Sequence, residues 1–213
     1  MGIASYSKKG LYNSYDKNNK ERDALDYYST PIEEVTNILE IIKNKTDIIT
    51  SSILEPCAGG GHMLQGILNA DIKNNITATD IKDRGNITNI EIKTGSEFDF
   101  ISDNYPIKEI DYIIMNPPYS VIEPFVMKAL SIANKGILML GRLQFLEGEK
   151  RFENIFKECP PTDVYIYVDR IYCFKNGDLN QKMSSAQAYA WFYWDMKNIG
   201  ETNLHWIRRN NKK

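Results

Sequence analysis

The chain has 213 residues, 42% hydrophobic and 25% charged, with a formal net charge of −2, a size and balance that suit one globular domain and leave two cramped. No apolar stretch approaches the roughly 18 residues of a membrane span, Ser5 to Lys20 is too polar for a signal peptide, and three cysteines and two histidines lack paired metal spacing, so a soluble cytoplasmic protein with neither metal nor disulfide framework is expected. From Arg142 onward 12 Lys and Arg face 9 Asp and Glu, whereas residues 1–141 carry 14 against 19; this tilt is compatible with a nucleic-acid-facing side but falls short of the footprint of a dedicated binder.

Residues 1–22, with Lys8, Lys9, Lys17 and Lys20 among Tyr, Ser and Asn, have no apolar period and predict a mobile arm ahead of a single domain, residues 23–213. Thr30 and Pro31 mark a helix start, Thr as cap and Pro in the first turn, and Val35, Ile38, Leu39 and Ile42 follow at helical spacing. Ile53-Leu54 reads as a strand, Glu55-Pro56-Cys57-Ala58-Gly59-Gly60-Gly61 as a loop, and Met63, Leu64, Ile67 and Leu68 as one face of a helix. A strand from Ile76 to Ala78 ends on Thr79-Asp80, and a third segment lies around Glu97 to Ile101. The next strand, Ile110 to Met115, is apolar enough for burial on both faces. A helix from Ile122 to Ala133 leads to a strand from Gly136 to Leu140, then come a helix from Glu149 to Lys157, a strand from Val164 to Asp169 and an aromatic strand from Ala188 to Trp194. Trp191, Trp194 and Trp206 are expected in the core. Strands alternating with helices predict an α/β fold with a mostly parallel sheet and an antiparallel pair on one edge.

The strand at Ile110 stops on Asn116-Pro117-Pro118-Tyr119. Consecutive prolines lack backbone N–H groups, so they end a sheet ladder and leave nearby carbonyls available to a ligand. An Asn side-chain oxygen and the Pro117 carbonyl can together accept both hydrogens of one NH₂ group, and Tyr119 offers a flat face for stacking. A planar exocyclic amine, such as that of a nucleobase, fits this pattern. Asn-Pro is also a common turn opener; the weight comes from its place at the carboxyl end of a buried strand, where open α/β sheets bind ligands.

Gly59-Gly60-Gly61, between a strand and a helix, permits positive φ and direct approach of a ligand to the backbone. Leu64 stands where a dinucleotide fingerprint wants its final glycine, and no Gly-Lys-Ser/Thr follows, so phosphate binding is disfavoured. Asp80, about 20 residues on at the next strand end, suits both hydroxyls of a ribose. A ribose, no phosphate and methyl transfer to an amine together point to S-adenosylmethionine.

In order along the chain, Asp26-Tyr27-Tyr28-Ser29-Thr30-Pro31, Glu55-Pro56-Cys57-Ala58-Gly59-Gly60-Gly61-His62-Met63, Ala78-Thr79-Asp80-Ile81, Asp99-Phe100 and Asn116-Pro117-Pro118-Tyr119 resemble the motifs of class I S-adenosylmethionine-dependent methyltransferases of the adenine-N6 DNA type. Arg142-Leu143-Gln144-Phe145-Leu146-Glu147-Gly148, Arg151, Cys173-Phe174-Lys175-Asn176-Gly177 and Ala188-Tyr189-Ala190-Trp191-Phe192 resemble the small stand-alone versions found in phages and prophages. The order Cys57-Ala58, and Gly60 where the family often has an acid, depart from the usual pattern. The resemblance implies a Rossmann-like sheet with helices on both faces. It also implies contacts of Thr30 and Pro31 with the methionine end of the cofactor, Glu55 and Gly59 with its amino acid moiety, Asp80 with the ribose, and Asp99 and Phe100 with the adenine. Tyr28, Cys57, Gly61, Met63, Ile81 and Asn116 complete the implied cofactor surroundings, and Asn116, Pro117, Pro118 and Tyr119 form the catalytic set, with a flipped base stacked on Tyr119.

DNA is the expected substrate, with an amine in structured RNA as the alternative and a protein glutamine amide as a third reading. The stretch 142–185 is the candidate recognition region, where Arg142, Lys150, Arg151, Arg170, Lys175 and Lys182 are phosphate-contact candidates.

Overall fold

Apolar side chains on both faces of successive short strands build an eight-stranded sheet between two layers of helix. The computed structural model describes residues 27–73, 75–175 and 187–209; the predicted arm over residues 1–22, and residues 176–185 of the predicted recognition region with Lys182, lie outside them. In chain order the elements are β1 (Tyr28–Ser29), α1 (Ile32–Ile42), β2 (Ile53–Glu55), α2 (His62–Asn69), β3 (Ile76–Asp80), β4 (Ile92–Thr94), β5 (Ile110–Met115), α3 (Ile122–Ile132) and β6 (Ala133–Arg142). Then follow α4 (Glu149–Arg151), which runs on as a wider π turn over Phe152–Phe156, β7 (Asp163–Tyr167), β8 (Phe174–Lys175), β9 (Tyr189–Asp195) and β10 (Asn203–Ile207).

The large sheet has the order β10-β7-β9-β6-β5-β2-β3-β4. Every neighbouring pair is parallel except those of β9, which runs against both β6 and β7. The expected antiparallel pairing is therefore present, but not at the edge. β9 is aromatic and buried along nearly its whole length, which demands a partner on each side. β10, whose residues are all exposed or half-buried, takes the rim. Trp191 and Trp194 are fully buried as expected, but Trp206 on β10 is 68% exposed; the face of β10 that packs inward carries Ile207 instead.

Alternation divides the core. Tyr112, Ile114, Leu138, Leu140, Trp191 and Tyr193 point to the side covered by α1 and α2, while Ile113, Met115, Ile137, Met139, Phe192 and Trp194 point to the side covered by α3 and the π turn. The period of two in a strand produces this two-sided layering. α1 and α2 cross closely at Gly66, where a Cβ would sit 2.4 Å from the Val35 Cβ.

One segment is specified and one local expectation is corrected. The segment around Glu97 to Ile101 holds a turn. The strand before it is the short β4, and Ser96–Phe98 is a 3₁₀ turn that delivers Asp99 and Phe100 to the carboxyl edge of the sheet. Thr30 does not cap α1 with its side chain, because the Pro31 carbonyl receives the Glu34 and Val35 N–H groups and the Thr30 hydroxyl is engaged elsewhere. A second, two-stranded sheet pairs β1 antiparallel with β8, Tyr28 opposite Lys175 and Ser29 opposite Phe174, and so ties the segment before α1 to the chain after Cys173.

Candidate active site

The carboxyl ends of β2, β3 and β5 open onto a cleft, the position at which open α/β sheets place ligands. β2 delivers Glu55 to it, β3 delivers Asp80, and β5 delivers Asn116. Tyr28 and Thr30 reach it from β1 and the turn into α1, and Asp99 and Phe100 from the turn after β4.

Asn116 is the most constrained of these groups. Its Nδ2 donates to the Tyr28 carbonyl at 3.0 Å and to the Thr30 hydroxyl at 3.0 Å. A backbone carbonyl only accepts, so the amide orientation is fixed. The Asn116 Oδ1 is then buried with no hydrogen-bond partner in the wall of the cleft. An unpaired buried acceptor is costly, and Asn116 is one of the residues that line the cleft.

Glu55 is buried, its Oε2 has no partner, and burial, followed by the Asp80 carboxylate, holds its carboxyl well above the ordinary value. Asp80 is better satisfied: its Oδ2 accepts the Gly59 N–H at 2.8 Å and its Oδ1 the Lys82 N–H at 2.9 Å. These bonds fix the glycine loop against the end of β3, helped by the Ala58 N–H donating to the Thr79 carbonyl at 3.0 Å. Gly59 and Gly61 have φ of +54° and +85°, the left-handed region that glycine enters without penalty. Burial first, then Glu55 and Asp80, push the Cys57 thiol well up, which makes it a packing group rather than a nucleophile.

Phe100 is 1% exposed and meets Tyr105 edge-on at 5.2 Å and Phe125 at 5.1 Å, giving the cleft a rigid apolar wall beside Asp99. Met63 and Ile81 line it as well, as does Pro118. Pro31, Gly59, Gly61, Pro117 and Tyr119 do not form its wall: Pro31 starts α1, the two glycines shape the loop behind the wall, and Pro117 is buried. Tyr119 begins a 3₁₀ turn leading into α3, its hydroxyl buried without a partner.

Several lining residues were not anticipated. Tyr27 packs against the glycine loop, so that a Cβ at Gly59 would fall 2.2 Å from its ring, and its hydroxyl accepts the Gly60 N–H at 3.0 Å. Arg84 stands 4.8 Å over the Tyr27 ring, and His62, whose pKa is lowered by burial, is 3.5 Å from the Tyr27 hydroxyl. Phe98, Val121 and Phe125 add apolar surface. The aromatic pair before Ser29-Thr30 was the available signal for Tyr27, and His62 stood within the glycine-loop motif; nothing in the local sequence marks the others.

Among the described residues no cluster of His, Cys, Asp or Glu could hold a metal, and no helix is long and apolar enough to cross a membrane. No protein-family model and no curated protein matches the sequence. Solved structures do resemble it. A Listeria monocytogenes protein described as a candidate class I S-adenosylmethionine-dependent methyltransferase superposes with a TM-score of 0.60 at 10% identity, over 89% of this chain and 68% of that one. A candidate RNA methyltransferase from Pyrococcus horikoshii gives 0.61 at 18% identity, over 88% and 97% of the two chains. The methyltransferase subunit of a type I restriction-modification system from Streptococcus thermophilus gives 0.57 at 12% identity, with 84% of this chain covering 46% of that subunit. The mostly parallel eight-stranded sheet, flanked by helices and shared with these structures, is the Rossmann-like fold of the class I methyltransferases.

Proposed function

We propose that the chain is an S-adenosylmethionine-dependent N-methyltransferase acting on the exocyclic amine of a nucleic-acid base, adenine N6 in DNA. The observation that carries this reading is the Asn116 Oδ1, oriented by two bonds to its own Nδ2 and left without a donor at the carboxyl end of β5. Fold alone does not set chemistry; this acceptor narrows it.

The residues present fit the cofactor. Glu55 Oε2, buried and unpaired, suits an α-ammonium, and Asp80 keeps acceptor capacity for ribose hydroxyls. Asp99 and Phe100, both in the lining of the cleft, are assigned the adenine amine and ring. When bound, S-adenosylmethionine supplies a methyl group activated by a positively charged sulfur. Everything else falls to the chain. The lone pair of an aromatic amine is delocalised into its ring, so its nitrogen attacks poorly until it becomes pyramidal and cationic. Acceptors that hold its N–H bonds strengthen as that charge grows, which is transition-state stabilisation by a preorganised dipole. Asn116 Oδ1 supplies one acceptor, and the Pro117 carbonyl is assigned the second. A base inside a duplex cannot reach this cleft, so it is extruded at a cost of about a few kcal/mol, offset by stacking, with Tyr119 as the assigned platform.

An amine in structured RNA is the second reading. It is favoured by the likeness to the Pyrococcus horikoshii protein, which is matched over nearly its full length. Incubation with labelled S-adenosylmethionine and separate DNA, RNA and protein pools tests both readings, and nucleoside digestion then identifies the product. N6-methyladenine in DNA is the expected outcome; label confined to RNA selects the second reading, and label in protein alone rejects both.

A further inference from the structure

The face of Tyr119 is covered. The Arg142 guanidinium lies 4.3 Å from the ring centroid, Tyr28 packs at 5.4 Å and Tyr189 at 6.1 Å. Arg142 is the last residue of β6 and pairs with Tyr189, the first of β9. The cation therefore stands at the same carboxyl edge of the sheet as Asn116, half-buried and within reach of solvent. Its Nε is buried with no hydrogen-bond partner, and its guanidinium meets the Tyr119 ring and the Tyr189 side chain.

A planar guanidinium is suited to a phosphate, which it can grip with two parallel hydrogen bonds, and those bonds are stronger than its attraction to a partly exposed tyrosine ring. We propose that Arg142 is a phosphate-released cover: it shields the Tyr119 face until a phosphate of the target nucleotide draws the guanidinium away, and the bared ring receives the base. This rests on the assignment of Tyr119 as the stacking platform in the proposed function, and extends it. A neutral nucleoside brings no anion and meets a covered ring. A polynucleotide uncovers the ring with its own backbone, so the same residue selects for polymer.

Methyl transfer from labelled S-adenosylmethionine to a random-sequence DNA pool and to free 2′-deoxyadenosine tests this in the wild type, Arg142→Gln and Arg142→Lys, with the cofactor-induced melting shift confirming that each variant is folded. Arg142→Gln is expected to raise KM for DNA about tenfold and to flatten the salt dependence of KM by about one phosphate contact, with a much smaller change in kcat. Its use of deoxyadenosine rises about two- to fivefold, the worth of the cation–ring contact. Arg142→Lys, which keeps the charge but not the fork, falls between on DNA. Unchanged KM and salt dependence in Arg142→Gln would overturn the proposal, as would a failure of deoxyadenosine use to rise. A wild type that binds cofactor but methylates neither substrate removes the proposed function itself, and this inference with it.

Discussion

A side-chain amide has two ends, and the chain uses one end of Asn116 to aim the other. The Tyr28 carbonyl and the Thr30 hydroxyl take both hydrogens of Nδ2, so the amide is held in one orientation, and under the proposed function this preorganises Oδ1 as an acceptor for the substrate amine. Thr30→Val removes one of the two restraints with little change of volume. It is expected to lower kcat about tenfold, the worth of a single lost hydrogen bond, with little effect on KM for the nucleic acid; steady-state kinetics with unchanged kcat would show that the second restraint is idle. The position of Asn116 was legible because two prolines end a buried strand there. Its restraints were not, since 86 and 88 residues separate it from Thr30 and Tyr28. The local pattern assigned Thr30 to helix capping, a task that the Pro31 carbonyl performs. Tyr119 was legible as the aromatic of the motif, whereas the cation on its face comes from the end of the neighbouring strand β6, 23 residues on.

At the scale of elements, long apolar runs were legible and short or edge-lying ones were not. The strand at Ile110 and the helix at Ile122 announce themselves by burial pattern. The three-residue β4, the two-residue β1 and β8, and the half-exposed β10 hold too few apolar residues to show a period. The aromatic density of β9 was visible, but its central place follows from burial on both faces, which only the sheet reveals. Gly66 illustrates a constraint that periodicity hides. It reads as a tolerated helical glycine, yet its missing Cβ lets α1 approach, with the Val35 Cβ 2.4 Å and the Ile32 carbonyl oxygen 2.9 Å from where that atom would be. Gly66→Ala must push α1 outward and is expected to destabilise the fold by about 1–3 kcal/mol, read as a lower urea midpoint at unchanged slope. Because α1 begins beside Thr30, cofactor and substrate kinetics in the same variant also worsen; a stable, fully active Gly66→Ala would contradict the close crossing.

For the whole molecule, the sheet creates an acidic floor under the cleft, and that floor sets a pH dependence. Glu55 is held above the ordinary carboxylate value by burial and by Asp80. Its contribution to folding in the absence of cofactor is therefore full below the usual carboxylate pKa and is lost as the pH rises through the elevated folded value. The cofactor-free protein is expected to lose melting temperature over that interval. Glu55→Gln, neutral at every pH, escapes the loss and is the more stable form at neutral pH, while its affinity for S-adenosylmethionine falls by about 1.5–3 kcal/mol, the worth of a charge-assisted bond. Parallel melting curves against pH, with and without cofactor, check both halves. The fold and the line-up of glycine loop, Asp80 and Asn116 at one sheet edge were readable from strand order alone, since parallel crossovers place successive strand ends together. The closure of the cleft by β1 was not, because the pairing of Tyr28 with Lys175 spans most of the chain.

The most direct measurement is single-turnover methyl transfer by Asn116→Ala at saturating S-adenosylmethionine, alongside the cofactor-induced melting shift of the same variant. The expected result is a rate about 10²–10³-fold below wild type with the shift retained. Turnover near the wild-type rate would contradict the account, and so would a loss of activity that merely follows a loss of cofactor binding.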